Sequence, residues 1–230
     1  MIRSNLPIVL LTPPPVDTNK WDHHNKKLER DPSYRANTVA KCYGDIVKKV
    51  ANQHDCFVVD VFALLGGCEK EEEEKHYAPH LSDGLHLSSS GNQLVYDGLM
   101  QLLETTDMAP ITLEWDKYTN NAIVLQTTRP SIVLLGDSFT QFGFEDCGWA
   151  SLLASDYSRR ADVLNRGFQG HNTRELKASI SEFLHSDAVH GALFVTLWLG
   201  SNGAFLPIDK RHESLDEFQA NLEAIVTKVR

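Results

Sequence analysis

The chain has 230 residues, of which 42% are hydrophobic and 23% are charged. These values are ordinary for a soluble globular protein, and the length suits one α/β domain with a sizeable core. The formal net charge of −9 disfavours nucleic acid or an anionic membrane as a partner, because both carry negative charge themselves.

The chain carries no sequence signal for a metal knuckle, a disulfide framework or a membrane span. Its cysteines are scattered and include no Cys-X-X-Cys pair; they are Cys42, Cys56, Cys68 and Cys147. The apolar run at 6–11 is short and leads into prolines instead of a cleavage site, and no run approaches the length of a membrane span. Since Asn-X-Ser/Thr sequons are also absent, we expect a cytoplasmic protein without membrane insertion.

The first half of the chain begins with an apolar run, LPIVLL at 6–11, that predicts a buried parallel strand. Residues 12–32 predict a polar loop, and a helix is expected from Ser33 with Val39, Tyr43, Ile46, Val47 and Val50 on one face. A second buried strand is expected from Cys56, in CFVVDVFALL. The acidic run EKEEEEK at 69–75 is typical of a solvated loop.

A capped helix is expected next, in SSSGNQLVYDGLMQLLE, with Leu94, Val95, Leu99, Leu102 and Leu103 on its apolar side. Residues 105–130 then break the pattern and predict a connector. The elements expected after it are strands at 131–135, 161–165 and 192–200, and helices at about 148–158, at 173–185 and from Ser214, where Ser214 and Glu217 form a capping box. Alternating strands and helices predict a parallel sheet covered on both faces.

A serine, Ser138, stands just past the end of the strand in IVLLGDSFTQFG. Ligands of parallel α/β sheets bind at this edge, but a serine hydroxyl is a weak nucleophile unless a base lies beside it. Asp83-Gly-Leu-His86 offers a histidine base and a carboxylate to orient it, on one short loop before a helix. Gly-Asp-Ser alone is also typical of a turn, and Asp83 alone is typical of an Asx-turn. Because both motifs lie where a strand or loop leads into a helix, we favour a catalytic role for them.

Two further loops follow predicted strands and could supply oxyanion donors. Gly170 lies in NRGFQGHNTR and could turn its N–H into the site, and Asn202 lies in LGSNGA and could point its amide the same way. With the N–H of Ser138, they would make three donors. The alternatives are a glycine needed for a tight turn and an Asn in a left-handed turn. His171, Phe139 and Phe205 are candidate substrate-lining residues, and no metal ligand set is expected.

These blocks resemble the SGNH/GDSL hydrolases and, among them, the isoamyl acetate-hydrolysing esterase type. The resemblance rests on GDSFTQFG, NRGFQGHNTR, LGSNGA and SDGLHLSSSGN, with support from GW at 148–149 and TPPPV at 12–16. It implies a doubly wound five-stranded sheet of flavodoxin-like strand order and no cofactor. It also implies Ser138 as the nucleophile, His86 as the base, Asp83 as its orienter, and Ser138, Gly170 and Asn202 as the oxyanion hole.

The chain departs from this family in two ways. The Asp-His half comes first, so residues 1–104 resemble the family's second half and 131–230 its first half, with 105–130 joining them in a single permuted domain, 1–230. A fragment of two tandem domains would look the same, and a homo-oligomer or a domain swap is also open. The second departure is Gly203, which stands where relatives carry an Asp after the Asn.

The function expected from the resemblance is hydrolysis of small carboxylic esters, of short acyl chains such as acetate, through an acyl-enzyme. Carbohydrate O-deacetylase, lysophospholipase and thioesterase activities are alternatives within the same family. A weakly active or non-catalytic ligand-binding relative is the alternative from another class, and Gly203 is the feature that favours it.

Overall fold

The computed structural model describes residues 6–30, 34–68, 76–106, 129–145, 147–158, 160–184 and 191–230. The strands are β1 (Ile8–Leu11), β2 (Phe57–Val59), β3 (Ser131–Gly136), β4 (Asp162–Gly167) and β5 (Ala192–Trp198). The helices are α1 (Thr18–Lys27), α2 (Asn37–Gln53), α3 (Val61–Leu64), α4 (Ser89–Thr105), α5 (Ser138–Gln141), α6 (Trp149–Asp156), α7 (Thr173–Leu184) and α8 (Leu215–Val229). The predicted acidic loop 69–75 and most of the connector, 107–128, lie outside the described residues.

The strands form one parallel sheet in the order β2-β1-β5-β3-β4. Counted from β3 onward, with β1 and β2 last, this order reads 2-1-3-4-5, which is the flavodoxin-like arrangement. The predicted fold class and strand order are therefore confirmed. The order reverses between β3 and β5, and this switch point is where such sheets bind ligands.

Helices cover both faces of the sheet, which explains why the central strands are apolar throughout instead of alternating. On one face, α2, α7 and α8 bury Tyr43, Val47, Leu176, Ile180, Phe218, Leu222 and Ile225 against Ile8, Leu10, Val133, Leu135, Val195 and Leu197. On the other, α4 and α6 bury Val95, Leu99, Trp149 and Leu153 against Val9, Leu11, Ile132, Leu134 and Phe194. None of the helices in the described part of the chain combines the length and apolar character that crossing a bilayer requires.

The prediction of a polar loop over 12–32 is wrong in part, because α1 lies inside it. Asp17 is the N-cap of this helix, and its side chain accepts a hydrogen bond from the N–H of Lys20. The helix buries only Trp21 and Asn25, so its sequence shows no apolar stripe at helical spacing. The helix was missed for that reason.

The predicted second strand is also shorter than expected, ending at Val59. Asp60 stops it by capping α3, since its carboxylate accepts hydrogen bonds from the N–H of Ala63 (3.3 Å) and the hydroxyl of Thr12 (2.9 Å). At α8, Ser214 caps the N–H of Glu217 as predicted (3.2 Å). The Glu217 carboxylate, however, pairs with Arg174 on α7.

Candidate active site

Ser138 is the first residue of α5, immediately after β3. The turn that presents it is held by Asp137, whose N–H donates to the carbonyl of Trp198 on β5 (3.2 Å) and whose carboxylate accepts from the N–H of Phe139 (3.1 Å). The side chain of Asp137 is fully buried, and Ser138 is 5% exposed. The serine thus sits in a fixed turn at the switch point between β3 and β5.

The imidazole of His86 lies between the hydroxyl of Ser138 and the carboxylate of Asp83. Its Nε2 is 3.2 Å from Ser138 Oγ, and its Nδ1 is 2.8 Å from Asp83 Oδ2. The other carboxylate oxygen accepts from the N–H groups of Leu85 (2.9 Å) and His86 (2.8 Å). The structure therefore brings these three predicted residues into one hydrogen-bonded series, although His86 and Ser138 are 52 positions apart in the sequence.

The carboxylate of Asp83 is held in its ionised form. Burial alone would raise its pKa, but the hydrogen bond and charge of His86 and the two backbone N–H donors outweigh burial and lower the pKa to about 2. A carboxylate that stays ionised at neutral pH can accept from Nδ1–H and leave Nε2 free to receive a proton from the serine.

Helix α1 packs over the Asp83–His86 loop. The N–H of Asp17 donates to the carbonyl of Gly84 (2.8 Å), and Gly84 has φ +99° with the backbone N of Trp21 only 2.5 Å from where a Cβ would stand. Only glycine fits this approach. The missed helix therefore matters for the site, because it contacts the backbone that carries His86.

Aromatic rings surround the His86 imidazole. Its ring centroid is 5.6 Å from those of Phe139 and Phe142 and 5.7 Å from that of Trp21. Trp21 also stacks on His24, whose Nε2 is 4.0 Å from Asp83 Oδ2. Phe139, a predicted lining residue, is 3% exposed and stacks on Trp198, so it forms the wall behind the imidazole.

The side-chain amide of Asn202 is engaged in hydrogen bonds. Its Nδ2 donates to Asp137 Oδ2 (3.2 Å) and to the carbonyl of His171 (3.0 Å). Burial, only partly offset by hydrogen bonds and nearby charges, raises the pKa of Asp137 to about 7. The Asn202 side chain thus lies beside the Ser138 turn and links that turn to the loop after β4.

The other two predicted donors are backbone N–H groups, those of Ser138 and Gly170. Within the described part of the chain, neither N–H has a hydrogen-bond acceptor. Gly170 is exposed and has φ +82°, with no atom within 4 Å of a Cβ built there. Its glycine is therefore explained by backbone conformation and not by close packing.

The remaining predicted residues lie at different places around the site. The ring of His171 packs on Phe168 at 5.2 Å. Phe205 lies between the guanidinium groups of Arg35 and Arg211, each 3.9 Å from its ring centroid. Phe205 lines a cleft of about 690 Å³ with Trp21, Asn25, Glu29, Arg30, Tyr34, Arg35, Ile208, Asp209, Lys210 and Arg211. The cleft adjoins the histidine through Trp21, which contacts both.

Sequence reasoning missed Trp21 and Glu213. Trp21 is a lone aromatic residue in a polar segment, and this contrast is the feature of the sequence that could have marked it as part of the site. Glu213 is fully buried and binds the start of α7, 40 positions away; nothing in its own neighbourhood in the sequence marks it. Across the described residues, no group of three or more His, Cys, Asp or Glu side chains could hold a metal ion.

A parallel α/β sheet with a Ser–His–Asp chain at its carboxyl edge has the arrangement of α/β serine hydrolases. Residues 132–230 match the model of the GDSL-like Lipase/Acylhydrolase family. Over these residues, which are less than half of the chain, the protein is similar to GDSL-type acylhydrolases, and its parallel α/β sheet is consistent with that family. The match includes Ser138, Gly170 and Asn202, whereas Asp83 and His86 lie outside it.

Part of the chain is also similar to curated proteins that are named as esterases. The isoamyl acetate-hydrolyzing esterase 1 homolog of Rattus norvegicus is 41% identical over 104 residues, which are 44% of this chain and 42% of the rat protein. The Homo sapiens homolog is 39% identical over 100 residues (42% and 40%), and a GDSL esterase/lipase of Arabidopsis thaliana is 36% identical over 105 (44% and 43%). The chain spans less than half the length of these relatives in the alignments.

Proposed function

We propose that the chain is a serine hydrolase of carboxylic esters that works through an acyl-enzyme. The observation that carries the proposal is the hydrogen-bonded chain from Ser138 Oγ to His86 Nε2 (3.2 Å) and from His86 Nδ1 to Asp83 Oδ2 (2.8 Å). Both distances are within the reach that general-base activation of a nucleophile requires.

In the proposed reaction, Ser138 Oγ attacks the ester carbonyl carbon while His86 Nε2 takes the hydroxyl proton. The tetrahedral intermediate collapses, the bond from the carbonyl carbon to the alcohol oxygen breaks, and the alcohol leaves with the proton held by His86. Water, deprotonated by the same nitrogen, then attacks the acyl-enzyme, and the acid and the free serine are released. Asp83 stabilises the imidazolium that forms twice in this cycle.

The proposed oxyanion donors are the N–H groups of Ser138 and Gly170 and the amide of Asn202. The two backbone groups are free to donate, as described above. The Asn202 amide would reach the oxyanion by giving up or sharing one of its hydrogen bonds, to Asp137 or to the His171 carbonyl. Hydrogen bonds of this kind often tighten only in the substrate complex.

For the acyl group we propose a short chain such as acetate. The support comes from the names of the mammalian relatives, which refer to isoamyl acetate, and from the rings of Phe139 and Phe142 packed against His86. Small-molecule esters are therefore the proposed substrates, and no cofactor takes part in the steps above.

A carbohydrate O-deacetylase is a second candidate, favoured by the cleft beside Trp21. Six of the residues that line the cleft are charged. Four are cationic, namely Arg30, Arg35, Lys210 and Arg211, and two are anionic, namely Glu29 and Asp209. Such a lining suits a polar alcohol better than an apolar one. This candidate uses the same catalytic chain and differs only in the alcohol that leaves.

The test is a panel of p-nitrophenyl esters from acetate to long acyl chains, run beside acetylated sugars, with Ser138→Ala as control. We expect the highest kcat/KM for acetate and a fall of roughly four to six orders of magnitude in Ser138→Ala. A fluorophosphonate probe should label Ser138. Labelling of another residue, or full activity in Ser138→Ala, would reject the hydrolase; a folded protein with neither activity nor labelling would favour the non-catalytic alternative.

We also propose that residues 1–230 form one permuted domain, with 1–104 as the family's second half, 131–230 as its first half and 105–130 joining them. The support is the strand order, which becomes flavodoxin-like when counted from β3, and the 3.2 Å contact between His86 and Ser138 in a single chain. One chain thus suffices for the site, and neither a domain swap nor a homo-oligomer is required.

A further inference from the structure

Gly203, the residue after Asn202, could carry a side chain only if the carboxylate of Glu213 moved from its place. A Cβ built on it would stand 2.5 Å from Glu213 Oε2 and 3.2 Å from a ring carbon of Tyr43. A separation of 2.5 Å is far below van der Waals contact. The resemblance to the SGNH/GDSL hydrolases implies an aspartate at this position, and here the carboxylate of Glu213 occupies the space beside the glycine.

The Glu213 carboxylate is fully buried and accepts several hydrogen bonds from the start of α7. The donors are the hydroxyl of Thr173 (2.8 Å), the N–H of Arg174 (2.9 Å) and the N–H of Thr173 (3.3 Å). A buried carboxylate is tolerated only when its oxygens are paired in this way. These donors come directly after the loop that carries Gly170 and His171.

The backbone around Glu213 binds the Asn202 loop at the same time. The N–H of Glu213 donates to the carbonyl of Gly203 (3.1 Å), and the hydroxyl of Tyr43 donates to the carbonyls of Gly203 (2.9 Å) and Glu213. One residue thus joins the loop after β4, which carries Gly170, to the loop after β5, which carries Asn202.

Capping of α7 accounts for only part of the contacts of Glu213, because the helix also has a local cap. Asn172 Oδ1 accepts from the N–H of Glu175 (3.1 Å), and the Glu175 carboxylate accepts from the N–H of Asn172 (2.7 Å). This reciprocal pair is the usual way to satisfy a helix start. Glu213 satisfies two further N–H groups at the start of α7, those of Thr173 and Arg174, and in addition it links the two loops.

We propose that Glu213 is a positioning residue that supplies, from a different point of the chain, the carboxylate missing at position 203, and so fixes Asn202 and Gly170 relative to Ser138. The inference rests on the proposed hydrolase function. Gly203 and Glu213 are in this view a coupled pair: the glycine leaves the space that the glutamate fills.

The test is a set of variants assayed with p-nitrophenyl acetate: Gly203→Asp, Glu213→Gln, Glu213→Ala and the double variant Gly203→Asp/Glu213→Ala. Each single change should lower kcat at least about tenfold with KM within about threefold, since an interaction that orients oxyanion donors acts mainly in the transition state. Gly203→Asp should be harmful in the wild-type chain, where it forces two carboxylates together, but should raise kcat in the Glu213→Ala background.

Glu217→Gln is the matched control, because Glu217 also binds the start of α7, through Arg174, but lies at the surface and touches neither loop. It should leave kcat within about twofold. Thermal unfolding is measured for every variant. If the double variant regains its unfolding midpoint without regaining kcat, or if folded Glu213→Gln keeps full kcat, Glu213 is structural only and the inference is wrong.

The hydrolase proposal fails in a different way, since Ser138→Ala would then keep its activity. If Glu213→Ala does not fold, the kcat values of Glu213→Gln and Gly203→Asp test the inference instead. Glu213→Gln preserves the volume of the side chain, and Gly203→Asp leaves Glu213 unchanged.

Discussion

The carboxylate of Asp137 accepts a hydrogen bond from the side-chain amide of Asn202 across 3.2 Å, and this contact joins the turn after β3 to the loop after β5. Both side chains stand at the switch point of the sheet, one beside the proposed nucleophile and the other a proposed oxyanion donor. The contact fixes the rotamer of Asn202 before any substrate arrives, at the cost of burying a carboxyl group.

Asn202→Ala should lower kcat about a hundred- to a thousandfold with little change in KM, because one oxyanion donor is lost. It should also destabilise the fold by about 1–3 kcal/mol, since the buried Asp137 carboxylate loses a donor. Steady-state kinetics and urea unfolding measure the two effects. An Asn202→Ala variant with wild-type kcat, alongside an inactive Ser138→Ala, would mean that Asn202 is not in the oxyanion hole.

The contribution of Asp137 to the stability of the fold should fall as pH rises from about 4 to about 7. Burial raises the pKa of Asp137 from 3.8 to about 7, so in this range the folded state holds a proton that the unfolded state has lost. The contribution is fully present below the unfolded pKa and declines by about 1.4 kcal/mol per pH unit until the folded pKa is reached.

Asp137→Asn lacks this titration and is the comparison for urea unfolding between pH 4.5 and 8. The difference in unfolding free energy between wild type and variant should shift against wild type by an amount on the order of 3 kcal/mol across that range. A difference that stays constant with pH would show that Asp137 does not titrate there.

Asp83→Asn should lower kcat by roughly four orders of magnitude, because an amide at this position no longer selects the imidazole tautomer that leaves Nε2 free. Its Oδ1 can still accept from the N–H groups of Leu85 and His86, so the loop should stay folded. Asp97→Asn removes an exposed carboxylate on α4 and should be silent. Equal kcat values for the two variants would remove Asp83 from the proposed mechanism.

Gly84→Ala should destabilise the protein by at least about 2 kcal/mol and lower activity, because the backbone has φ +99° and a Cβ would meet the backbone of Trp21 and Asp17. The strain would separate α1 from the His86 loop. Gly191→Ala, at a glycine with no atom of the described residues within 4 Å of its Cβ position, is the control and should change the unfolding midpoint little. Similar midpoints for both variants would contradict the packing of α1 on this loop.

A rearranged chain in family order, with 131–230 first, then a short linker, then 6–130, should fold and keep its activity if the natural order is a permutation of one domain. The physical reason is that the sheet, the two helix layers and the site depend on contacts between the halves and not on the order of their connection. Circular dichroism and ester hydrolysis report the result. A rearranged chain that is soluble but unfolded would contradict the single permuted domain.

The sequence alone determined the fold class, because continuous apolar runs predict buried strands and apolar stripes at helical spacing predict the helices that cover them. Strands β1, β3, β4 and β5 and helices α2, α4, α6, α7 and α8 were all predicted from such local patterns. The Ser138 and Asp83–His86 motifs could also be recognised from the sequence, because one follows a predicted strand and the other precedes a predicted helix.

The tertiary structure alone decided the contacts between residues far apart in the chain. Helix α1 was missed because it buries only Trp21 and Asn25, and the ring of Trp21 packs on His86, which lies more than 60 positions away in the sequence. The Asp137–Asn202 hydrogen bond and the replacement of a side chain at Gly203 by Glu213 join separate loops. Local sequence encodes backbone periodicity, but which buried carboxylate faces which amide depends on how the strands are ordered in the sheet, and that order arises only when both halves pack together.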